Sequence, residues 1–273
     1  MFNARADVCY CTGIFFRLFL SFIFCTFAFP KKMTMENYFN TEERAVNVTD
    51  FELAEANQRF MVRVYGWMCF ALAVTGFMSL FVVHFEPLMN FFFMHTGVFI
   101  FLLVAEILLV VMLSARVQKM SLFACTLIFL IYSILNGITL APLFLVYTKS
   151  SIASTFFIVS GTFAAMSLFG YFTKQDLTKW GSILTMALIG LIIATLVNLF
   201  IHSTWIYWIT TYAGVFIFIG LIAYDTQKLK DMSALTVEDT EESRKMTIMG
   251  ALTLYLDFIN LFIYLLRIFG KRN

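Results

Sequence analysis

Long apolar runs separated by short polar segments make up most of the chain beyond residue 58. A run of roughly 20 apolar residues can cross a bilayer as an α-helix, because a helix satisfies its own backbone hydrogen bonds. The runs lie at about Met61–Val83, Val98–Leu113, Leu122–Tyr147, Ile152–Phe172, Ile183–Ile201, Trp205–Tyr224 and Ile248–Phe269. The pattern therefore predicts an all-α polytopic membrane protein with about seven transmembrane helices.

The remaining residues divide into an N-terminal extension and a polar tail. Residues 1–34 contain a short apolar run, Gly13–Phe29, which carries Arg17 and is followed by a proline and two lysines. Because this run is short for a span and no clear cleavage site follows, we interpret it as an over-extended translation start rather than an extra helix. Residues 35–57 form the polar tail, and residues 58–273 form the transmembrane domain.

Lysine and arginine are distributed unevenly between the two sides of the predicted bundle. One side carries Arg44, Arg59, Arg63, Arg116, Lys119, Lys174, Lys179, Lys228, Lys230, Arg244 and Lys245. The other side carries only Lys149 before the C-terminal tail. Since basic loops stay in the cytoplasm, the N-terminus and the polar tail are predicted to be cytoplasmic. Seven complete crossings would place three late basic residues outside the cytoplasm, namely Arg267, Lys271 and Arg272. Either the last helix crosses incompletely, or the basic residues of the earlier loops determine the orientation despite these three.

Composition narrows the possible functions. Of 273 residues, 61% are hydrophobic and 13% are charged, the latter about half the usual fraction in soluble proteins. The net charge of +2 is close to neutral and argues against a nucleic-acid partner. The 5 cysteines show no metal-binding or redox spacing. The chain has neither a phosphate-binding glycine loop nor a nucleophile–base arrangement, so we predict a non-enzyme without a cofactor.

Two carboxylates interrupt or end apolar runs, Asp225 in AYDTQKLK and Asp257 in LYLDFINLF. A charge at the bilayer centre costs about 2.5–3.5 kcal/mol on insertion scales, so such residues usually mark a functional site. Asp257 lies about 14 Å beyond Ile248, at about 1.5 Å per residue. Asp225 reaches a similar depth if its helix continues through QKLKDM, which contains no helix breaker. The two acids can then meet and share one proton, because adjacent like charges cannot both ionise cheaply.

The last predicted helix has one polar face. At about 100° per residue, a single arc of roughly 100° holds its polar and small residues. These are Gly250, Thr253, Asp257, Asn260, Tyr264 and Arg267. A polar stripe on an otherwise apolar span faces a cavity or a polar partner, so Asn260 and Tyr264 are candidate pore-lining residues.

The second and fourth spans carry further signals. Arg116 ends the second span on the same side as Asp225 and either pairs with that carboxylate or anchors the helix at the cytoplasmic surface. Glu106 is either a third pore-lining candidate or a structural hydrogen-bond hub. An alternative to a functional role for Asp225 is that it is simply an interfacial residue at a helix end. On the fourth span, the row Ser160–Ala165 contains small residues that predict close helix packing.

Paired membrane aspartates suggest two functional classes. In an intramembrane aspartyl protease, one acid activates water and the other protonates the scissile carbonyl. Presenilin-like enzymes share the Tyr-Asp pair seen at Tyr224-Asp225, but their Gly-x-Gly-Asp is replaced here by Leu254-Tyr255-Leu256-Asp257. Leucine and tyrosine there would block a substrate backbone. The second class, a pH-gated cation pathway, is favoured, since calcium prefers carboxylate oxygens and ionised acids ease cation entry.

The segment Gly137–Leu177 resembles the signature of the Bax inhibitor-1 (TMBIM) family, and AYDTQ followed by LYLDFINLF is similar to that family's last two helices. The resemblance extends from Gln58 to the C-terminus. It implies six helices surrounding a central seventh and a calcium leak controlled by pH. By motif, it also implies that Asp225 and Asp257 sense pH and line the calcium pathway, with Arg116 as a latch.

The resemblance leaves a second function open. Some bacterial relatives modulate a membrane protease, and eukaryotic relatives suppress cell death through partners. In that alternative the tail 35–57 would act on a membrane partner, and the aspartates would be structural. The acidic loop Ser233–Lys245, longer than a minimal hairpin, is a candidate either for cytoplasmic gating or for partner binding. The short core and the N-terminal arm resemble bacterial members, so we expect the bacterial inner membrane, with lipid as the surroundings.

Overall fold

The computed structural model describes residues 50–233 and 240–273 of the chain. The predictions for residues 1–34, and for most of the polar tail 35–57, fall outside these ranges. The described residues are almost entirely helical and contain no β-strand beyond one isolated bridge. The helices are α1 (Asp50–His84), α2 (Glu86–Met94), α3 (Thr96–Arg116), α4 (Leu122–Leu140), α5 (Leu143–Val146), α6 (Lys149–Phe172), α7 (Thr178–Ile201), α8 (Thr204–Ser233) and α9 (Glu241–Phe269), with a 3₁₀ turn at Val117–Lys119.

Within the two described ranges, seven helical segments are long and apolar enough to cross a membrane. They correspond to α1, α3, α4 together with α5, α6, α7, α8 and α9. The seven predicted spans are therefore confirmed. The sequence pattern missed α2, a short helix between the first two spans, because nine residues are too few for a recognisable period.

Local signals account for several helix boundaries. The hydroxyls of Ser121, Thr148 and Thr240 accept backbone N–H groups at the starts of α4, α6 and α9. Such N-caps satisfy donors that the first helical turn leaves without partners. Between α4 and α5, Pro142 lacks the backbone N–H that a continuous helix would need. The third span is therefore interrupted just before its end.

The last helix is the most buried span. In α9, 94% of the apolar window is buried, compared with 61% in the next most buried span, α4 with α5. The helix packs directly against α1, α4, α6 and α8, while α3 packs mainly on α4 and α7 mainly on α8. The contacts thus place four helices immediately around α9, with α3 and α7 farther out.

The close approach between helices occurs at a different glycine from the one that the sequence suggested. Gly161, Ala164 and Ala165 in the small-residue row of α6 are exposed, and a Cβ on Gly161 would meet nothing within 4 Å. The expectation of tight packing there is wrong, because this face of α6 points away from the other helices. A Cβ on Gly170 would instead overlap the backbone of Ala223 in α8. The contact between α6 and α8 therefore depends on Gly170.

The C-terminal residues bind the connection between α5 and α6. The N–H of Thr148 donates to the carbonyl of Lys271 at 3.0 Å, and the N–H of Lys271 donates to Ser151 Oγ at 3.0 Å. The N–H of Asn273 donates to the carbonyl of Val146 at 3.0 Å. The last helix therefore runs the full length of the bundle, which argues against incomplete crossing as an explanation for the late basic residues. We call this the C-terminal end of the bundle, and the opposite one, where α8 connects to α9, the α8–α9 end.

Candidate functional site

The two carboxylates singled out in the sequence lie on neighbouring helices. α8 does not end at Tyr224 but continues through QKLKDM to Ser233, which keeps Asp225 inside the helix. Asp225 is 3% exposed and Asp257 is 0% exposed. The burial of Asp225 argues against the alternative in which it is an interfacial residue at a helix end. Asp225 is buried in the bundle because α8 continues past it, and this continuation is a local property of the sequence.

The side chains of Asp225 and Asp257 lie within hydrogen-bonding range of each other. Apart from this contact, both oxygens of Asp257 and Oδ2 of Asp225 have no hydrogen-bond partner among the described residues. An ionised carboxylate only accepts hydrogen bonds, so a bond between two carboxyl groups requires a proton on one of them. The arrangement therefore fits a buried pair of carboxyl groups that shares a proton.

The polar face of α9 packs against α8 along its length, and we call this interface the α8–α9 seam. From the α8–α9 end to the C-terminal end, the facing residues are Gly250 with Leu229, Asp257 with Asp225, Tyr264 with Gly214, and Arg267 with Tyr207. A Cβ on Gly214 would overlap the ring of Tyr264, so this glycine leaves the space that the tyrosine fills. Four positions of the polar stripe thus face α8, and Asp225 is the acidic residue among their partners there.

Comparison with known proteins gives a family match over the whole described core. The family model described as inhibitor of apoptosis-promoting Bax1 matches residues 57–273. The chain belongs to the Bax inhibitor-1 family. It is 50% identical over 217 residues to the inner membrane protein YbhL of Escherichia coli (strain K12), covering 79% of this chain and 93% of that protein. The uncharacterized protein RP147 of Rickettsia prowazekii (strain Madrid E) is 44% identical over 219 residues, which cover 80% of this chain and 92% of the relative.

The family match and the seven apolar helices support a multi-pass protein of the inner membrane. The match also extends through both aspartate-bearing helices, α8 and α9, so the seam belongs to the family domain. Residues 1–49, which the structure does not describe, lie outside the matched range.

The two pore-lining candidates on α9 are buried in this conformation. Asn260 and Tyr264 are both 0% exposed. The side-chain amide of Asn260 donates to the carbonyl of Leu256 at 2.8 Å, while its Oδ1 has no hydrogen-bond partner in the described ranges. The ring of Tyr264 packs on the α8–α9 seam, with its centroid 5.8 Å from that of Phe218. A pore-lining role for these residues therefore requires the seam to open and stays a prediction.

The structure does not bring Arg116 to the carboxylate pair. Arg116 is exposed at the end of α3, and this helix packs on α4 rather than on α8. Ion pairs among the described residues include Arg59 with Glu55 and Lys245 with Glu241, and neither involves Arg116. The basic residue that acts on Asp225 is instead Lys228, one turn further along α8. The expected latch is thus absent from this conformation, because helix rotation and packing order, which sequence spacing does not define, separate the two residues.

The third acid of the bundle lies in another interface. Glu106 is 0% exposed and accepts a hydrogen bond from Thr139 Oγ1 at 3.1 Å, between α3 and α4. This position agrees with the alternative in which Glu106 links two helices through hydrogen bonds. It does not place Glu106 on the α8–α9 seam.

Sequence reasoning missed the hydroxyl groups around the pair. Tyr65 OH lies 2.5 Å from Ser167 Oγ, which lies 3.0 Å from Thr226 Oγ1, the residue after Asp225. On the other side of α9, Tyr255 OH contacts Thr75 Oγ1 at 2.7 Å. Hydroxyls within apolar runs were the available signal, but most such groups bond to their own helix backbone and carry little information. These bonds connect α1, α6, α8 and α9 close to the aspartates.

Proposed function

We propose that this Bax inhibitor-1 family protein is a pH-sensitive leak channel for calcium, a cation pathway gated by Asp225 and Asp257, with no enzymatic step and no cofactor. The observation that carries the proposal is the buried contact between two carboxyl groups on the α8–α9 seam. Placing acids in a membrane bundle is costly, so a pair that serves only packing would be better replaced by apolar residues of similar volume. A contact that depends on a shared proton would instead let the pair respond to pH.

The described conformation is closed at the pair. Neither aspartate has appreciable exposure. Two hydrogen bonds also connect α8 to neighbouring segments at the α8–α9 end. There Gln227 Oε1 accepts from the N–H of Leu177 at 2.8 Å, and Lys230 Nζ donates to the carbonyl of Tyr171 at 2.8 Å. Conduction therefore requires α8 to move relative to α9 and to the connection between α6 and α7.

Loss of the shared proton supplies a force for that movement. Two unit charges about 4 Å apart repel by about 4 kcal/mol at an effective dielectric constant of about 20. The repulsion acts across the seam, and the ionised oxygens would then face the opening between the helices. Calcium takes about six to eight oxygen ligands, more than two carboxylates provide, so the ion keeps water and can leave again. The leak is therefore expected to rise with pH.

The full chain, reconstituted in liposomes that contain a calcium-sensitive dye, tests this proposal. Between pH 6 and pH 8 we expect the calcium flux to rise about tenfold. Such a rise requires the free-energy barrier to conduction to fall by only about 1.4 kcal/mol. Protein-free liposomes measured at each pH are the control. A flux that never exceeds the control at any pH would reject the channel proposal.

The competing proposal is a non-channel modulator that binds a membrane protease or another membrane protein. Its function would lie in the tail 35–57, of which residues 50–57 already belong to α1. Deleting residues 35–49 separates the two proposals. A channel keeps its flux after this deletion, whereas a modulator without channel activity loses its cellular effect.

The proposed orientation places the N-terminus in the cytoplasm, on the same side as the α8–α9 end. Lys149 and Lys174 are both exposed and flank α6 at its two ends. In a variant whose 5 cysteines are replaced by alanine, we expect Lys149→Cys to react with a membrane-impermeant maleimide in intact spheroplasts. Lys174→Cys should react only after lysis, because basic loops are retained inside. The reverse labelling pattern would show the opposite orientation.

A further inference from the structure

An apolar cavity of about 340 Å³ lies between α1, α4 with α5, α6 and α9, in the half of the bundle towards the C-terminal end. Its volume is in the range of about 300–1,000 Å³ that is typical of small-molecule sites. Residues from four parts of the fold form its walls, among them Gly76, Leu140, Ile152, Phe156, Phe258 and Phe262. Phe156 and Phe157 at its edge are 43% and 74% exposed. The cavity therefore opens on the surface that faces lipid.

The two hydroxyl groups in the cavity wall, those of Thr75 and Ser79, are already hydrogen-bonded within the protein. Ser79 Oγ donates towards the carbonyl of Gly137 at 2.7 Å, and Thr75 Oγ1 donates to the carbonyl of Ser133 at 2.9 Å. An ordered water needs two to four polar partners, which these walls do not offer. The chemistry of the cavity suits a hydrocarbon chain and does not suit a polar ligand.

Basic residues gather at the C-terminal end of this cavity. Lys149 lines the cavity and is exposed. Lys271 forms hydrogen bonds with Thr148, one residue before Lys149, and with Ser151, two residues after it. These bonds hold the exposed Lys271 and Arg272 close to Lys149. In the part of the chain that the structure describes, none of these three cations forms an ion pair with a carboxylate. The cluster therefore offers positive charge to an anion at the membrane surface.

We propose that this cavity binds one anionic phospholipid, with an acyl chain between α1 and α6 and the phosphate against Lys149, Lys271 and Arg272. A lipid chain is already in apolar surroundings, so entering the cavity adds packing contacts rather than hydrophobic burial. The headgroup charge then supplies the selectivity, as it does at other basic membrane surfaces. This site also gives the late basic residues, which contradict the charge bias of the other loops, a physical role.

The bound chain would contact the helix that carries the carboxylate pair. Phe258, Ile259 and Phe262 of α9 form part of the cavity wall, and Asp257 directly precedes them. Lipid binding itself does not depend on channel activity, so the two proposals can fail separately.

The test uses the full chain in lipid nanodiscs that contain phosphatidylglycerol with a photoreactive diazirine in its acyl chain. After illumination, mass spectrometry locates the adducts. We expect adducts on cavity residues of α1, α6 and α9, and fewer when phosphatidylcholine carries the same diazirine chain. Replacing Lys149, Lys271 and Arg272 together by glutamine should remove the difference between the two lipids. Equal adducts from both lipids in the wild-type protein would overturn the headgroup assignment.

A matched pair of glycine variants tests the cavity itself. A Cβ on Gly76 or on Gly66 would meet nothing within 4 Å, and both glycines lie in α1, but only Gly76 lines the cavity. We expect Gly76→Leu to lose the cavity adducts and Gly66→Leu to keep them. Ala153→Phe, which fills the cavity from α6, gives a second variant should Gly76→Leu fold poorly. Cavity adducts that persist in a folded, filled variant would overturn the proposal.

Discussion

Replacing Asp257 with asparagine is expected to abolish the rise of calcium flux with pH and to leave the flux at its low-pH level. Asparagine has nearly the size of aspartic acid and can donate a hydrogen bond to Asp225, but it cannot ionise. The contact across the α8–α9 seam therefore persists at high pH, and no second negative charge develops to separate the helices. The expected loss at pH 8 is about tenfold, the same factor as the wild-type rise, which corresponds to about 1.4 kcal/mol.

The measurement is the liposome assay, with Asp225→Asn as the reciprocal variant. Glu106→Gln is the matched control, because Glu106 is an equally buried acid that lies between α3 and α4. We expect Glu106→Gln to keep the dependence on pH. If Glu106→Gln loses it and Asp257→Asn keeps it, the sensor is Glu106 and the assignment of the pair is wrong.

Replacing Gly170 with alanine is expected to destabilise the protein by about 1–3 kcal/mol, the usual cost of overpacking. The added Cβ would overlap the carbonyl oxygen of Ala223 and lie 2.9 Å from the Cα and the carbonyl carbon of that residue. A backbone cannot rotate aside as a side chain can, so α8 has to shift away from α6. Asp225 lies two residues beyond Ala223, and the shift would also disturb its contact with Asp257.

Gly161→Ala in the same helix is the control for this prediction. Gly161 is exposed and its Cβ would meet nothing. The loss of a helical glycine should there be neutral or stabilising by about 0.5–1 kcal/mol. Thermal unfolding of the purified variants in one detergent, followed by circular dichroism, gives the comparison. Equal melting temperatures for the two variants would contradict the close approach of α6 and α8.

Much of the candidate site could be predicted from the chain alone. The continuation of α8 through QKLKDM and the polar face of α9 followed from composition and helical period, and the structure shows both. The expected pairing of Arg116 with Asp225, in contrast, is not present in this structure. The position of Arg116 at a span end was predicted well, but the neighbour of α3 is α4, so Asp225 lies on a helix that Arg116 does not reach.

The sequence by itself determined the seven spans and the depth of each acid along its own helix. Both are local properties, because a helix in lipid must satisfy its backbone hydrogen bonds within its own segment. Only the tertiary structure decided which faces meet, including the opposition of Asp225 and Asp257, the place of Glu106 between α3 and α4, and the use of Gly170 rather than Gly161 for close packing. These depend on how each helix is rotated and which helix lies beside it. Packing over the whole bundle sets both, and no period along a single helix contains that information.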